Sequence, residues 1–222
     1  MGISDPNLLF GSFLFGLIIG VVGIAGLFSL FKGLGWITPN SLQLALPHTP
    51  EIKEKVEKTD ASSAISNNES LLSAVTMLIP SFLILGLIVG GVEELVFRGF
   101  LTGRLCEVWP VWISGAISSA VFALLHLVWE GKDNIPQLPG LWTMGMVLTL
   151  AWWIDDGAIA LAWGLHTGWV WSMATIDALE LVTYTHTVPA WVTGIDNKPL
   201  AGIMGVSSLV LTGLGILFFF EH

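Results

Sequence analysis

Long apolar runs alternate with short polar stretches along the whole chain. The runs reach or approach the 18 to 20 residues that an α-helix needs to cross roughly 30 Å of hydrocarbon. Between them stand charged residues, Gly and Pro, which end helices or form turns. The pattern predicts an all-α fold, a polytopic transmembrane helix bundle of about six spans, forming one membrane domain over residues 1–222. The predicted spans are residues 8–31, 71–105, 111–129, 140–154, 158–178 and 200–220.

Two segments interrupt this alternation. Residues 47–70, PHTPEIKEKVEKTDASSAISNNES, mix charges with Ser and Asn and offer little apolar surface to bury, which predicts a solvated polar loop. Residues 179–199 contain Pro189 and Trp191 and are expected to rest at the membrane interface. Pro80 lies inside the second predicted span, where it is expected to bend the helix.

Composition agrees with a membrane protein. Hydrophobic residues make up 54% of the chain and charged residues 11%, so the lipid bilayer is its first partner. The net charge of -9 comes largely from loops and helix ends and disfavours nucleic acid as a partner. Cys106 is the single cysteine, which excludes an intrachain disulfide and a multi-cysteine metal site.

The lysines predict an orientation. If the six spans alternate in direction, one face of the membrane collects six lysines, whereas the opposite face has Arg98 and Arg104. Because basic residues concentrate on the cytoplasmic side of a membrane, the face with the six lysines is expected in the cytosol. The six lysines are Lys32, Lys53, Lys55, Lys58, Lys132 and Lys198.

Ionisable residues inside the second span are the first candidates for chemistry, because burying them in a membrane is costly. Glu94 and Arg98 are four residues apart and share a helix face, so they can form an ion pair. Glu93 is turned about 100° away and has no local partner. We therefore expect Glu93 either to find its partner on another helix or to take up a proton.

Two of the five histidines, His126 and His166, lie inside predicted spans. At 1.5 Å of rise per residue, Glu93, His126 and His166 lie between about 14 and 24 Å from the turns on the face that lacks lysines. Three helices thus bring one carboxylate and two imidazoles to a similar depth, which predicts a functional polar site rather than three packing residues.

Several kinds of site are excluded by absent motifs. The chain lacks the G-x-S-G of rhomboid-type serine proteases, the H-E-x-x-H zinc helix and the G-x-G-D of presenilin-type aspartyl proteases. The kind of site that remains is a glutamate that acts on water beside two imidazoles. The same three residues, two His and one Glu, also match the ligands of a catalytic zinc, so a metal-dependent membrane hydrolase stays an alternative.

Three motifs resemble the CAAX protease and bacteriocin-processing family of intramembrane proteases. They are EELVFR from Glu93 to Arg98, FALLH from Phe122 to His126, and a third motif that begins at His166, within a motif-bearing core of residues 80–178. The resemblance implies a glutamate-dependent endopeptidase without cofactor or metal. In that family's scheme Glu93 and His126 activate water and His166 stabilises the oxyanion. Glu94 pairs with Arg98, and Phe122 shapes the pocket.

One position departs from the family pattern. Val170 stands four residues after His166, where the family often has Asn or Asp, so Thr167, Ser172 or an indole would have to supply the missing donor. A non-proteolytic protein that binds other membrane proteins is the alternative. A protease of this family would act on a membrane-associated protein or peptide. Residues 179–199 resemble the branch of photosynthetic bacteria and plastids, which implies a bacterial plasma membrane or a thylakoid.

Overall fold

The computed structural model describes residues 6–40 and 61–221, and it describes side chains there except at 61–75, 129–130 and 221. Within these ranges the chain is a bundle of six long helices, as the apolar runs predict, with one two-stranded sheet. The helices are α1 (Pro6–Gly33), α2 (Ala61–Glu94), α3 (Val111–Glu130), α4 (Leu138–Ile154), α5 (Ala160–Ala178) and α6 (Ile203–Glu221).

Four helical segments in the described part of the chain are long and apolar enough to cross a membrane by themselves: Pro6–Gly33, Thr76–Leu105, Val111–Val128 and Ile203–Phe220. The other two helices, α4 and α5, form the centre of the bundle, where neighbouring helices cover most of their surface. These central helices need less lipid-facing apolar surface, which is why α5 can carry His166 and Thr167 in buried positions.

Helix α2 is longer than its predicted span. Residues 61–70, expected as part of the polar loop 47–70, are its first turns, and residues 47–60 lie outside the described ranges. No Gly or Pro stands between Ala61 and Ile79 to end a helix, and a helix end outside the bundle needs no apolar face. Pro80 stands within α2, which continues past it to Glu94. The next eight residues, Leu95–Thr102, form a π-helix, and Gly103–Leu105 add a last α-helical turn.

Helix α1 packs closely against α5 through glycines. A Cβ atom at Gly16 or Gly20 would overlap the backbone of α5, and a Cβ at Gly164 or Gly168 would overlap that of α1. Small residues allow the two backbones to approach and to gain van der Waals contact, which is the main source of helix association in lipid. This contact fixes α5, and with it the placement of His166.

Hydrogen bonds between loops show that the helices alternate in direction. At one end β1 (Ile37–Pro39) pairs antiparallel with β2 (Val182–Tyr184), and Lys198 Nζ donates to Asn134 Oδ1. At the other end Ser12 Oγ donates to Asp155 Oδ1 at 2.7 Å. Burial raises the pKa of Asp155, which also caps α5 by accepting a hydrogen bond from the Leu161 amide. The strand pair was not predicted from the sequence.

Candidate active site

The π-helix Leu95–Thr102 begins directly after Glu94 and packs against α3 and α4. A π-turn adds one residue to a helical turn, and such turns are frequent at functional sites. Its Phe97 ring meets the Phe122 ring edge to face, with centroids 5.1 Å apart, and Ser118 Oγ donates to the Phe97 carbonyl at 3.2 Å. This segment carries Arg98 into the centre of the bundle.

Arg98 and Glu94 form the ion pair that their spacing predicts, with 2.9 Å between Nη1 and Oε1. The other terminal nitrogen of Arg98, Nη2, donates to the Gly145 carbonyl of α4 at 2.9 Å. The guanidinium also lies 5.1 Å from the centroid of the Phe122 ring. Both members of the pair are almost fully buried, which makes it part of the interior scaffold.

Glu93 finds its partner across the bundle, where His166 of α5 reaches both glutamates. His166 Nδ1 lies 2.8 Å from Glu94 Oε1, and His166 Nε2 lies 3.5 Å from Glu93 Oε2. The contact with Glu94 was not foreseen. The exposed side-chain fraction separates the two carboxylates, at 25% for Glu93 and 0% for Glu94. Glu93 is therefore the more accessible of the two carboxylates.

His126 approaches the same region from α3. Its Nδ1 lies 2.8 Å from the Phe122 carbonyl, which can only accept, so Nδ1 carries a proton and donates it to that carbonyl. Its ring packs against Phe122, with centroids 4.6 Å apart, and the centroid of the His166 ring lies 6.1 Å from that of Phe122. Among the described residues, the hydrogen bond and ring contact of His126 are both with Phe122; no hydrogen bond joins it to Glu93.

The helices that carry these groups do not all pack against one another. Within the described residues, α3 packs against α4 and the π-helix and makes at most marginal contact with α2 or α5. Glu93 and His166 thus stand on two helices that pack directly together, α2 and α5, whereas His126 stands on α3.

The substitutes expected for the missing donor at Val170 are partly engaged elsewhere. Thr167 Oγ1 donates to the Gly86 carbonyl at 3.3 Å, and Trp163 Nε1 donates to the Leu87 carbonyl at 2.9 Å. Trp169 is buried in the hydrophobic core. These contacts join α5 to α2 and to the core, so Trp163 and Trp169 act as packing residues and Thr167 is not free to bind an oxyanion.

Sequence reasoning missed Gly145, whose backbone carbonyl holds Arg98. A carbonyl carries no residue-specific signal, and only the small size of Gly145, which lets α4 approach Ser119 of α3, hinted at a close contact. In residues 6–40 and 61–221 no group of three His, Cys, Asp or Glu side chains is arranged to hold a metal ion.

Comparison with known proteins gives one result. Residues 75–172 match the family described as type II CAAX prenyl endopeptidase Rce1-like. No curated protein and no solved structure matches the chain. The matched range includes all three motifs, from Glu93 through His126 to His166 and Val170. The chain is therefore an integral membrane protein that is similar, over residues 75–172, to the type II CAAX prenyl endopeptidase Rce1-like family.

Proposed function

We propose that the protein is an intramembrane glutamate-dependent endopeptidase that hydrolyses a peptide bond of a membrane-associated protein or peptide. One observation carries the proposal: Glu93 is the accessible carboxylate of a cluster whose other members are buried, and an imidazole lies beside it. The family supports the coarser statement that the protein is a membrane endopeptidase.

In the proposed reaction Glu93 takes a proton from water while Nε2 of His126 accepts that water's second hydrogen bond. The hydroxide oxygen bonds to the peptide carbonyl carbon, and the carbonyl oxygen becomes an oxyanion that a proton on His166 Nε2 stabilises. The C–N bond then breaks, and the proton held by Glu93 passes to the leaving amine. No step requires a metal or a cofactor.

The remaining finer assignments are part of this proposal. Residues 1–222 act as one membrane domain around the motif-bearing core 80–178, and the site opens toward the face that carries Lys132 and Lys198. The membrane is a bacterial plasma membrane or a thylakoid. Because the family is described as a prenyl endopeptidase, a peptide with a prenylated C-terminal cysteine motif is the first substrate to test.

The test uses purified protein in lipid nanodiscs and this prenylated peptide, with products identified by mass spectrometry. We expect cleavage by the wild type that Glu93→Gln reduces by about 10²- to 10⁴-fold, the usual contribution of a general base. Activity should survive a chelator, and the protein should hold no stoichiometric zinc. One zinc per chain, lost together with activity in His166→Ala, would favour the metal-dependent hydrolase instead.

A non-proteolytic binding protein is the second candidate, and Val170 favours it. Thr167 and Trp163, which could replace the donor missing there, are engaged with backbone carbonyls. Loss of one oxyanion donor typically lowers a rate by about 10²- to 10³-fold. If no peptide or membrane protein is cut by the wild type, while the protein copurifies with the same membrane proteins in wild-type and Glu93→Gln form, this second function replaces the first.

A further inference from the structure

The contact between Glu94 and His166 gives Glu94 a role beyond its ion pair. Oε1 of Glu94 accepts from Arg98 Nη1 at 2.9 Å and lies 2.8 Å from His166 Nδ1. A carboxylate held by a guanidinium is ionised and can only accept, so Nδ1 of His166 must carry a proton. We propose that Glu94 is the positioning residue of His166: it fixes the ring so that Nε2 faces Glu93 and the reacting peptide.

The support for Glu94 continues through α4. Arg98 Nη2 donates to the Gly145 carbonyl at 2.9 Å, and the guanidinium lies over the Phe122 ring. A chain of contacts therefore runs from the Gly145 carbonyl through Arg98 and Glu94 to His166. Each member is nearly fully buried. Bulk water therefore cannot take the place of a lost hydrogen-bond partner if the His166 ring turns.

The charges around His166 indicate where a second proton is held, on the Nε2 side of the imidazole ring. The ionisable groups in contact with His166 are Glu93 and Glu94, and Arg98 is paired with Glu94. His126 and His166 both lie against the Phe122 ring. Two carboxylates and one guanidinium leave one uncompensated negative charge, which is costly inside a membrane. One proton shared between Glu93 Oε2 and His166 Nε2 balances it. Glu94 thus places the exchangeable proton on the nitrogen that the reaction uses.

This inference rests on the proposed function for its catalytic meaning, but its physical content can be measured without any substrate. The full chain in nanodiscs, labelled with ¹⁵N-histidine and assigned with a His166→Gln variant, reports which ring nitrogen is protonated. We expect Nδ1 of His166 to carry a proton, because it lies 2.8 Å from Glu94 Oε1. A neutral His166 with its proton on Nε2 would overturn the proposal, and this readout needs no folded Glu94 variant.

The variant Glu94→Gln tests whether Glu94 orients the His166 ring or only stabilises the fold. Its amide can both donate and accept, so we expect His166 to show a mixture of the two neutral tautomers in protein that remains folded. An unchanged tautomer in folded Glu94→Gln would overturn the proposal.

Activity gives the second readout. Replacing the carboxylate that orients a catalytic histidine by its amide lowers kcat by about 10⁴-fold in a serine protease, and second-shell partners of metal-bound histidines contribute about 10- to 100-fold. We expect a fall in kcat of about 10²- to 10⁴-fold for Glu94→Gln, with KM nearly unchanged and a shifted pH profile. Glu107→Gln, which removes an exposed carboxylate near the end of the same helix, is the matched control and should keep wild-type activity and tautomer. A wild type that cuts nothing would defeat the proposed function alone, because the spectrum still decides the role of Glu94.

Discussion

Two ion pairs near the end of the second helix have almost the same length and opposite surroundings. Glu94 and Arg98 are 2.9 Å apart with side chains 0% and 1% exposed, whereas Arg104 and Glu107 are 2.7 Å apart with side chains 66% and 61% exposed. Distance alone would rank them as equals. Their surroundings decide how much each pair contributes to stability. Breaking a buried pair leaves one charge without water, whereas both partners of an exposed pair stay hydrated.

The same difference divides their roles. The buried pair is linked to His166 and to the Gly145 carbonyl, so its geometry is transmitted to the candidate site. Within the described part of the chain, the side chains of the exposed pair bond only to each other, and the pair lies beside the turn at residues 106–110. A change at one pair should alter the whole protein, and the same change at the other should alter little.

Arg98→Ala should produce the largest effect. It leaves Glu94 buried without its counter-charge, and removal of one partner from a buried pair costs about 3–5 kcal/mol. We expect little folded Arg98→Ala protein in the membrane, measured as the fraction that stays monodisperse after extraction and mild heating. Arg104→Ala is the matched variant and should lose at most about 1 kcal/mol. Equal yields of the two variants would show that the interior pair is not part of the scaffold.

Gly145→Ala should have an intermediate effect. Its added Cβ would lie 2.6 Å from Ser119 Cβ, too close for two carbons, so α4 must shift together with the carbonyl that holds Arg98. Overpacking of this kind costs about 1–3 kcal/mol. Gly103→Ala is a suitable control, since its Cβ would have ordinary contacts and Ala favours a helix by about 0.5–1 kcal/mol. If both variants melt at the wild-type temperature, Gly145 is not packed as closely as described.

Glu107→Gln should produce the smallest effect. An exposed pair contributes at most about 1 kcal/mol, and salt screens it. The melting temperature should change slightly at low ionic strength and not at all near 1 M salt. A large, salt-independent loss would mean that Glu107 makes a contact that its exposure does not indicate.

The sequence predicts the helices well and the site only partly, for physical reasons. Apolar runs that reach or approach the length of a membrane crossing have few alternatives to a helix, so all six helices were predicted. The strands Ile37–Pro39 and Val182–Tyr184 have three residues each, too few for an alternating pattern to be visible. Residues 61–70 were expected in a loop because their side chains bury little, although helix formation there needs only the absence of a breaker.

Within the site, contacts along one helix were predictable and contacts between helices were not. The pair Glu94–Arg98 follows from a spacing of four residues. The approach of His166 to Glu94 depends on helix rotation and ring orientation, which no spacing encodes. The π-helix after Glu94 differs from an α-helix by one residue in one turn, a change too small to alter the apolar periodicity. The catalytic roles of Glu93, His126 and His166 stay predictions.

The central claim is that Glu93 hydrolyses peptide bonds of membrane proteins whereas the neighbouring pair supports it. The most direct measurement is terminal-peptide mass spectrometry of membranes from cells that produce the wild type, Glu93→Gln or Glu107→Gln at equal levels. We predict that a set of membrane proteins gains new termini with the wild type and with Glu107→Gln, and that these termini are absent with Glu93→Gln. The same new termini in Glu93→Gln membranes would contradict the account.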